Sequence, residues 1–163
     1  MNTDSHSGKA IDILTILARW GLGILFIYMG FSKVLHPEQF LKLVREYDMV
    51  SNPLLLNTIA ATLPWFEVFC GILLLCGIAV RGSALLVALM LIPFSLLVLL
   101  RALDISEDAG LPFCSVKFDC GCGGGEVFIC RKLIENSLML LGSLWLLAGH
   151  GRQAALKFCL WRP

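Results

Sequence analysis

The sequence LLLNTIAATLPWFEVFCGILLLCGIAV, residues 54–80, is followed after Arg81 by a second apolar run, GSALLVALMLIPFSLLVLLRAL, residues 82–103. Crossing the hydrocarbon core of a bilayer takes about 20 predominantly apolar residues in a helix, and each run is long enough. Only Val80, Arg81 and Gly82 lie at the junction. We therefore expect two transmembrane helices that are joined by a tight turn, and this helical hairpin decides the fold.

Two further apolar runs flank this hairpin, residues 11–35 before it and residues 128–149 after it. The first run is longer than the apolar core of a signal peptide, and it continues into Lys33 and His36 without a small-residue cleavage site. We interpret it as a retained span. The sequence therefore predicts an all-α membrane protein, a four-transmembrane-helix bundle that forms a single membrane domain over residues 1–163.

The composition agrees with a chain that has the bilayer as its solvent. Hydrophobic residues make up 58% of the chain and charged residues 15%, against roughly 45–50% and about 25% in soluble globular domains. The formal net charge is only +1. Because no run of Lys and Arg could neutralise a string of phosphates, the sequence excludes a nucleic-acid partner.

The connection between the first two spans has the pattern of an amphipathic helix. Over residues 38–50, apolar side chains recur at the helical spacing i, i+3, i+4 and i+7, while charged side chains occupy the other faces. The apolar positions are Phe40, Leu43, Val44 and Tyr47. We expect this helix to lie in the membrane interface.

Four spans place both termini and the Arg81 turn on one side of the membrane, and the amphipathic helix and the connection of residues 104–129 on the other. Basic residues are divided too evenly between the two sides for the positive-inside rule to choose by count. Four of the seven cysteines lie in residues 114–130, and a cysteine-rich loop suits an oxidising compartment. We predict a multi-pass protein of the plasma membrane with cytoplasmic termini and an extracytoplasmic cysteine-rich loop.

Three ionisable residues, Arg19, Glu67 and Glu135, fall inside the apolar runs. Such groups are costly within a bilayer and are therefore candidates for function or for pairing. Depth counted from the predicted span ends places Arg19 and Glu67 near the midplane on neighbouring helices. We predict an Arg19–Glu67 ion pair, joined by Glu135 and Asn136. A structural pair is favoured over a proton relay because a paired Arg does not give up its proton.

The segment CSVKFDCGCGGGEVFIC, residues 114–130, contains four cysteines with the spacing C-x5-C-x-C-x7-C. In a first interpretation, Cys120 and Cys122 form a redox disulfide. Cysteines two residues apart can reach bonding distance only where the backbone bends, and Gly121 permits such a bend. Strain makes a disulfide easier to reduce, as a catalytic disulfide requires.

Two alternatives remain open for this segment. Four thiolates can bind zinc or an iron–sulfur cluster, but the usual C-x2-C spacing is absent, so we assign no metal ligand. Alternatively, all four cysteines form structural disulfides, for instance Cys114 with Cys130 and Cys120 with Cys122. A Cys114–Cys130 bridge would close the loop at its base and leave Cys120 and Cys122 at an exposed tip.

Several segments, taken in order, resemble a known family. They are RWGLGILFIYMGFSKVLHPEQF from Arg19, LPWFEVFCGILLLCG from Leu63, DCGCGGGE from Asp119 and RKLIENSLMLL from Arg131. In this order they resemble the DoxX/MauE group of bacterial four-helix, redox-associated membrane proteins. The CGC before the last helix favours the MauE side of the group.

The resemblance implies a redox role. MauE relatives are implicated in maturing a disulfide-rich periplasmic enzyme, and DoxX relatives in sulfur-compound oxidation with quinone as electron acceptor. By position, the resemblance assigns family-like roles to Arg19, Gly30, Lys33, Pro64, Glu67, Gly71, Cys120 and Cys122. MauE-like sequences often follow the CGC with Phe-Gly, whereas this chain has Gly123-Gly124 and the additional Cys114 and Cys130.

We therefore predict a thiol–disulfide oxidoreductase, or a subunit of one, in the bacterial inner membrane. Its catalytic pair is Cys120 and Cys122, which exchange disulfides with an extracytoplasmic thiol protein. Quinone is the final electron acceptor that the resemblance suggests, although the sequence contains no recognisable quinone-binding motif. Two rival hypotheses are a non-catalytic assembly or anchoring subunit with structural disulfides, and a metal-binding or metal-delivery protein.

Overall fold

A computed structural model of the protein describes residues 3–46, 52–121 and 125–148. The chain is mostly helical within these ranges, which confirms the predicted all-α class. The helices are α1 (Thr3–Leu35), α2 (Pro37–Glu46), α3 (Pro53–Cys76), α4 (Val80–Ala109) and α5 (Ile129–Leu147). Between α4 and α5 lie a short 3-10 turn and two strands, Phe113–Ser115, β1 (Lys117–Asp119) and β2 (Glu126–Phe128).

Three of the described helices are long and apolar enough to cross a membrane: Ile11–Leu35, Pro53–Cys76 and Val80–Ala109. The remaining long helix, α5, has 19 residues and carries Arg131, Lys132 and Glu135 within its first two turns. Length and composition therefore establish three candidate spans, and they do not by themselves establish the predicted fourth.

The turn between α3 and α4 lies three residues earlier than the sequence suggested. Gly77 ends α3 with a left-handed backbone at φ 71°, a conformation that glycine adopts without a steric penalty. Because α4 already begins at Val80, Arg81 and Gly82 belong to its first turn. At the other end of α3, the side chain of Asn52 accepts a hydrogen bond from the backbone N–H of Leu54 at 2.9 Å and caps the helix.

Helix α4 is longer than the predicted span, which ended at residue 103. It continues through Asp104 to Ala109 and ends at Gly110, where φ is 61°. The rest of the predicted loop of residues 104–129 is also structured, since β1 and β2 form an antiparallel hairpin in which Phe118 pairs with Val127. The predicted loop therefore contains regular secondary structure over much of its length.

Glycines set the distance and register between α1 and α3. A side-chain carbon at Gly30 would lie 2.7 Å from the carbonyl oxygen of Pro64, and one at Gly71 would lie 2.7 Å from the carbonyl oxygen of Gly23. Such close approach of two helix backbones requires small residues at the crossing points. The two helices are therefore antiparallel neighbours, with Gly30 opposite Pro64 and Gly23 opposite Gly71.

Helix α5 runs antiparallel along α4 and also contacts α1. The Asn136 side chain donates a hydrogen bond to Ser95 Oγ at 3.1 Å, and Arg81 at the start of α4 donates one to the Leu147 carbonyl at 3.1 Å. Trp145 donates to the Thr15 hydroxyl of α1 at 3.2 Å. The start of α4 thus lies beside the end of α5.

Helix α2 lies against the end of the bundle that carries the β hairpin. Phe40 of α2 is buried, whereas Lys42 on the opposite face is exposed, as the predicted amphipathic pattern requires. The structure gives the helix as Pro37–Glu46. The end of the predicted helix, from Tyr47 onward, lies outside the described residues.

Candidate functional site

The cysteine-rich segment is closed at its base by a disulfide between Cys114 and Cys130, whose Cα atoms are 5.1 Å apart. Cys114 lies in the 3-10 turn after α4, and Cys130 lies in the first turn of α5. The bond therefore joins the 3-10 turn that precedes the β hairpin to the helix that follows it. This is the pairing proposed in the structural interpretation of the four cysteines.

Cys120 is also disulfide-bonded. Its partner lies outside the described residues, as does Cys122. The Cys120 side chain is only 1% exposed and packs in a cluster with Val98, Ala102 and Ile129. The predicted exposed tip is therefore wrong for Cys120, because the hairpin folds back onto α4 and α5 and buries that residue.

The backbone beside Cys120 has the bend that the CGC spacing predicted. Gly121 adopts a left-handed conformation with φ 77°, and its N–H donates a hydrogen bond to the Asp119 carboxylate at 2.9 Å. Helix α2 covers this bend. A side-chain carbon at Gly121 would lie 3.4 Å from Leu43 and 3.8 Å from Phe40, which is ordinary van der Waals contact. It is the left-handed turn, rather than the cover by α2, that favours glycine here.

A buried ion pair lies beneath α2. The Lys33 ammonium donates hydrogen bonds to both carboxylate oxygens of Glu67, at 2.5 and 2.7 Å, and each of the two residues is only 7% exposed. The same ammonium lies 5.2 Å from the centre of the Phe40 ring. Pairing and a cation–π contact thus accompany the burial of this charge.

The predicted Arg19–Glu67 pair is corrected by this geometry, because the cation that holds Glu67 is Lys33. The register that Gly30 fixes opposite Pro64 and Glu67 brings the end of α1 to the level of Glu67. Arg19 is also buried, but it precedes Lys33 by about four helical turns, or about 21 Å along the axis. Counting the depth of Arg19 and Glu67 from assumed span ends could not predict the register between α1 and α3.

Glu135 and Asn136 belong to separate contacts rather than to one network with Glu67. Glu135 accepts a hydrogen bond from Arg131 at 2.9 Å and lies 3.7 Å from Lys132. Asn136 donates to Ser95, while its Oδ1 atom accepts no hydrogen bond from any residue that the structure describes. Asn136 itself is 1% exposed.

These elements enclose a cavity of about 360 Å³ that the sequence did not predict. Its polar lining comprises the Lys33–Glu67 pair, Asn136 and the Cys120–Gly121 bend. The remaining wall is apolar and includes Phe26, Met29, Phe40, Met90, Phe94 and Met139. The cavity therefore has a disulfide-bonded cysteine, an ion pair and Asn136 around one apolar space.

One sequence pattern at this site could be recognised only after the helix packing was known. Gly30 and Lys33 are three residues apart on one face of α1, and Pro64 and Glu67 are three apart on one face of α3. Each close-approach residue is thus followed by a charge on the same face. Ser95, which accepts the hydrogen bond from Asn136, carried no such signal.

No group of three or more His, Cys, Asp or Glu side chains that could hold a metal ion occurs within the described part of the chain. Two of the four thiols in the cysteine-rich segment are joined to each other in the Cys114–Cys130 disulfide, so they are not available as thiolate ligands in this state.

Comparison with known proteins identifies one family. The family model described as methylamine utilisation protein MauE matches residues 11–149, which include every described side chain of the cavity and both ends of the Cys114–Cys130 bridge. Neither a curated protein nor a solved structure matches the chain.

Proposed function

Because this chain belongs to the MauE family of membrane proteins, we propose that it is a membrane-integral thiol–disulfide redox protein whose working pair is Cys120 and Cys122. The observation that carries this proposal is the position of Cys120, which is disulfide-bonded and lines a cavity that also contains a buried ion pair. A purely structural disulfide has no need of such a cavity. The physiological exchange partner is an extracytoplasmic thiol or disulfide protein.

Because Cys120 is buried, the two cysteines have different roles in disulfide exchange. In disulfide exchange a thiolate attacks one sulfur and forms a mixed disulfide, which the second thiol then resolves. Since Cys120 is 1% exposed, Cys122 is the sulfur that a partner protein attacks, and Cys120 is the sulfur released toward the cavity. In the full cycle a partner dithiol becomes a disulfide, while the Cys120–Cys122 disulfide gains two electrons and two protons.

The Cys114–Cys130 bridge serves this chemistry as a fixed base. It ties the 3-10 turn to the first turn of α5, so the hairpin keeps its position when the other pair is reduced. Two disulfides in one segment suit an oxidising compartment. This supports an extracytoplasmic hairpin and cytoplasmic termini, in a protein of the bacterial inner membrane.

We also propose that α5 is the fourth transmembrane span, within one membrane domain. It lies along α4 from the Ser95–Asn136 contact to the Arg81–Leu147 contact, so it shares the depth of a helix that is long and apolar enough to span. Its charges lie only in the first two turns, next to the hairpin. There long side chains can reach the interface.

Differential alkylation with mass spectrometry tests the redox assignment. The purified protein in nanodiscs is equilibrated with glutathione buffers of graded potential, and free thiols are alkylated and quantified at each cysteine. We expect Cys120 and Cys122 to become reduced together while Cys114 and Cys130 remain bridged. The proposal fails if Cys120 stays oxidised until the protein unfolds, or if Cys120 pairs with Cys114 or Cys130.

One observation favours a second candidate function, a non-catalytic assembly or anchoring subunit of a membrane complex. Cys120 is packed in an apolar cluster, as cysteines of structural disulfides commonly are. Under this hypothesis, replacing Cys120 and Cys122 with Ser lowers stability, and neither the wild type nor the variant exchanges disulfides with a partner. The alkylation titration separates the two functions, since only the redox function requires reduction of the pair in the folded protein.

A further inference from the structure

We propose that Asp119 is a positioning residue for the disulfide of Cys120, because its carboxylate holds the backbone turn at Gly121 and thereby favours the oxidised state of that disulfide. This inference rests on the proposed function and names a residue that sets how easily the bond is reduced. Asp119 acts through the backbone of the turn, so its effect is on the equilibrium between the oxidised and the reduced state.

The Asp119 side chain closes the turn that contains Cys120. Asp119 is the last residue of β1 and directly precedes Cys120, and its carboxylate accepts a hydrogen bond from the backbone N–H of Gly121 at 2.9 Å. Acceptor and donor therefore lie on either side of the cysteine. Asp119 is half-buried, and Cys120 and Gly121 are buried. A hydrogen bond to an ionised acceptor is roughly twice as strong as one between neutral groups.

This hydrogen bond stabilises one redox state more than the other. A disulfide requires a specific backbone geometry, and Gly121 provides it with a left-handed φ of 77°. In the reduced chain the covalent constraint is gone, and a glycine has many other conformations open to it. A hydrogen bond that exists only in the bent conformation is therefore formed more completely in the oxidised state. By linkage, it shifts the equilibrium toward the disulfide by this difference.

The stability of the hairpin does not explain a carboxylate at this position. The register of β1 and β2 places Asp119 directly opposite Glu126, and like charges directly opposite each other destabilise an antiparallel pair. A neutral side chain at residue 119 would remove this repulsion. The hydrogen bond to Gly121 gives the carboxylate a role that offsets the unfavourable pairing.

The redox equilibrium of Cys120 tests the inference. Wild type and Asp119→Ala in nanodiscs are equilibrated with glutathione buffers of graded ratio, starting from both oxidised and reduced protein, and alkylation with mass spectrometry gives the reduced fraction at Cys120. At pH 6.5, about two units below the ordinary thiol pKa, the lost charge has little thiolate to act on. We expect the equilibrium constant for reduction to rise about threefold to tenfold in Asp119→Ala, the value of up to one hydrogen bond.

Two further variants separate the hydrogen bond from the charge. Asp119→Asn keeps an acceptor oxygen without the charge, so it should restore most of the wild-type value. Glu126→Ala is the matched control, because it removes the carboxylate on the opposite strand of the same hairpin; it should change the constant by less than twofold. The inference is overturned if Asn does not restore the value, or if Glu126→Ala has the same effect as Asp119→Ala.

The Cys114–Cys130 disulfide is the internal control for a purely structural role. It should stay oxidised in every variant at the ratios that reduce Cys120. If Asp119→Ala makes both disulfides reducible together, the hairpin has come apart, and the positioning role is wrong.

Hydrogen exchange of the Gly121 amide provides a readout that needs no thiol chemistry. In protein labelled with 15N-glycine, this amide should exchange several-fold faster in Asp119→Ala than in the wild type, and Asp119→Asn should keep most of the protection. Equal exchange in wild type and Asp119→Ala would overturn the inference, because the hydrogen bond would then not hold the turn.

Failure of the inference and failure of the proposed function give different results. If Cys120 is reduced in the folded wild type and Asp119→Ala is reduced at the same glutathione ratio, the positioning role is wrong while the redox function stands. If Cys120 of the wild type is reduced only on unfolding, the redox function is wrong, and the positioning role is wrong with it.

Discussion

At the scale of single residues, Lys33 and Glu67 form a buried ion pair, and burying two charges costs desolvation free energy. Both side chains are buried, and their charges are matched by two short hydrogen bonds. Removing two ions from water is expensive, so such a pair adds little net stability, whereas losing one partner leaves the other charge uncompensated. The pair is therefore better explained by the cavity that it lines than by a need for stability.

Because losing one partner of the buried pair costs more than the intact pair contributes, Lys33→Met should be strongly destabilising. The variant should lose about 3–5 kcal/mol of stability, because Glu67 remains buried without its cation. The double variant Lys33→Met/Glu67→Gln should recover a large part of that loss. Unfolding in mixed micelles with increasing denaturing detergent, followed by circular dichroism, measures both free energies.

Arg131→Met is the matched control for that experiment. It breaks the Arg131–Glu135 pair, in which the arginine side chain is 79% exposed, so we expect a change of at most about 1 kcal/mol. A loss at Lys33→Met no larger than the loss at Arg131→Met would contradict the account of a buried, uncompensated carboxylate.

At the scale of elements, α2 is the part that covers the cavity and the Cys120–Gly121 bend. Its apolar face supplies Phe40, Leu43 and Val44 to the cavity wall, and two of these side chains cover the Cys120–Gly121 bend. A ten-residue helix is too short to be stable on its own in water, so its position depends on this packing. Small changes on the apolar face should therefore alter how well the disulfide is protected.

Leu43→Ala should make Cys120 more accessible. Removing the side chain nearest to Gly121 opens the cover, so we expect the reduced thiol to react with a small alkylating reagent several-fold faster than in the wild type. Leu41→Ala removes the same group from the same helix at a position that does not line the cavity, and it should have no such effect. Equal rates in all three proteins would show that α2 does not limit access.

At the scale of the whole molecule, the fold is two antiparallel helix pairs that meet around the cavity. Glycines bring α1 and α3 together, and hydrogen bonds join α4 to α5 and α5 to α1. The β hairpin and α2 close one end. This arrangement places the disulfides at one end of the bundle and the Arg81 turn at the other.

The proposed topology predicts opposite labelling of these two ends in intact cells. Glu126→Cys in the hairpin should react with a membrane-impermeant thiol reagent added outside, whereas Arg81→Cys should react only after the inner membrane is permeabilised. Both native side chains are exposed, so burial does not explain a difference. Labelling of both positions from the same side would show that α5 does not cross the bilayer.

The sequence determined the helical class, the three long apolar helices, the amphipathic helix and the family, because each depends on the order of residues along one segment. Apolar runs and the 3.6-residue period need no partner to be recognised. The sequence also contained the Cys114–Cys130 pairing, but only as one of several interpretations, since spacing alone does not select a connectivity.

Only the tertiary structure decided that Lys33 rather than Arg19 holds Glu67, that Cys120 is buried, and that a cavity joins them. These facts depend on the register and rotation of helices that are distant in sequence. The register is fixed by backbone contacts at Gly23, Gly30 and Gly71. A shift of one turn, about 5.4 Å, would carry Lys33 away from Glu67, and no property of either segment alone reveals which register packs best.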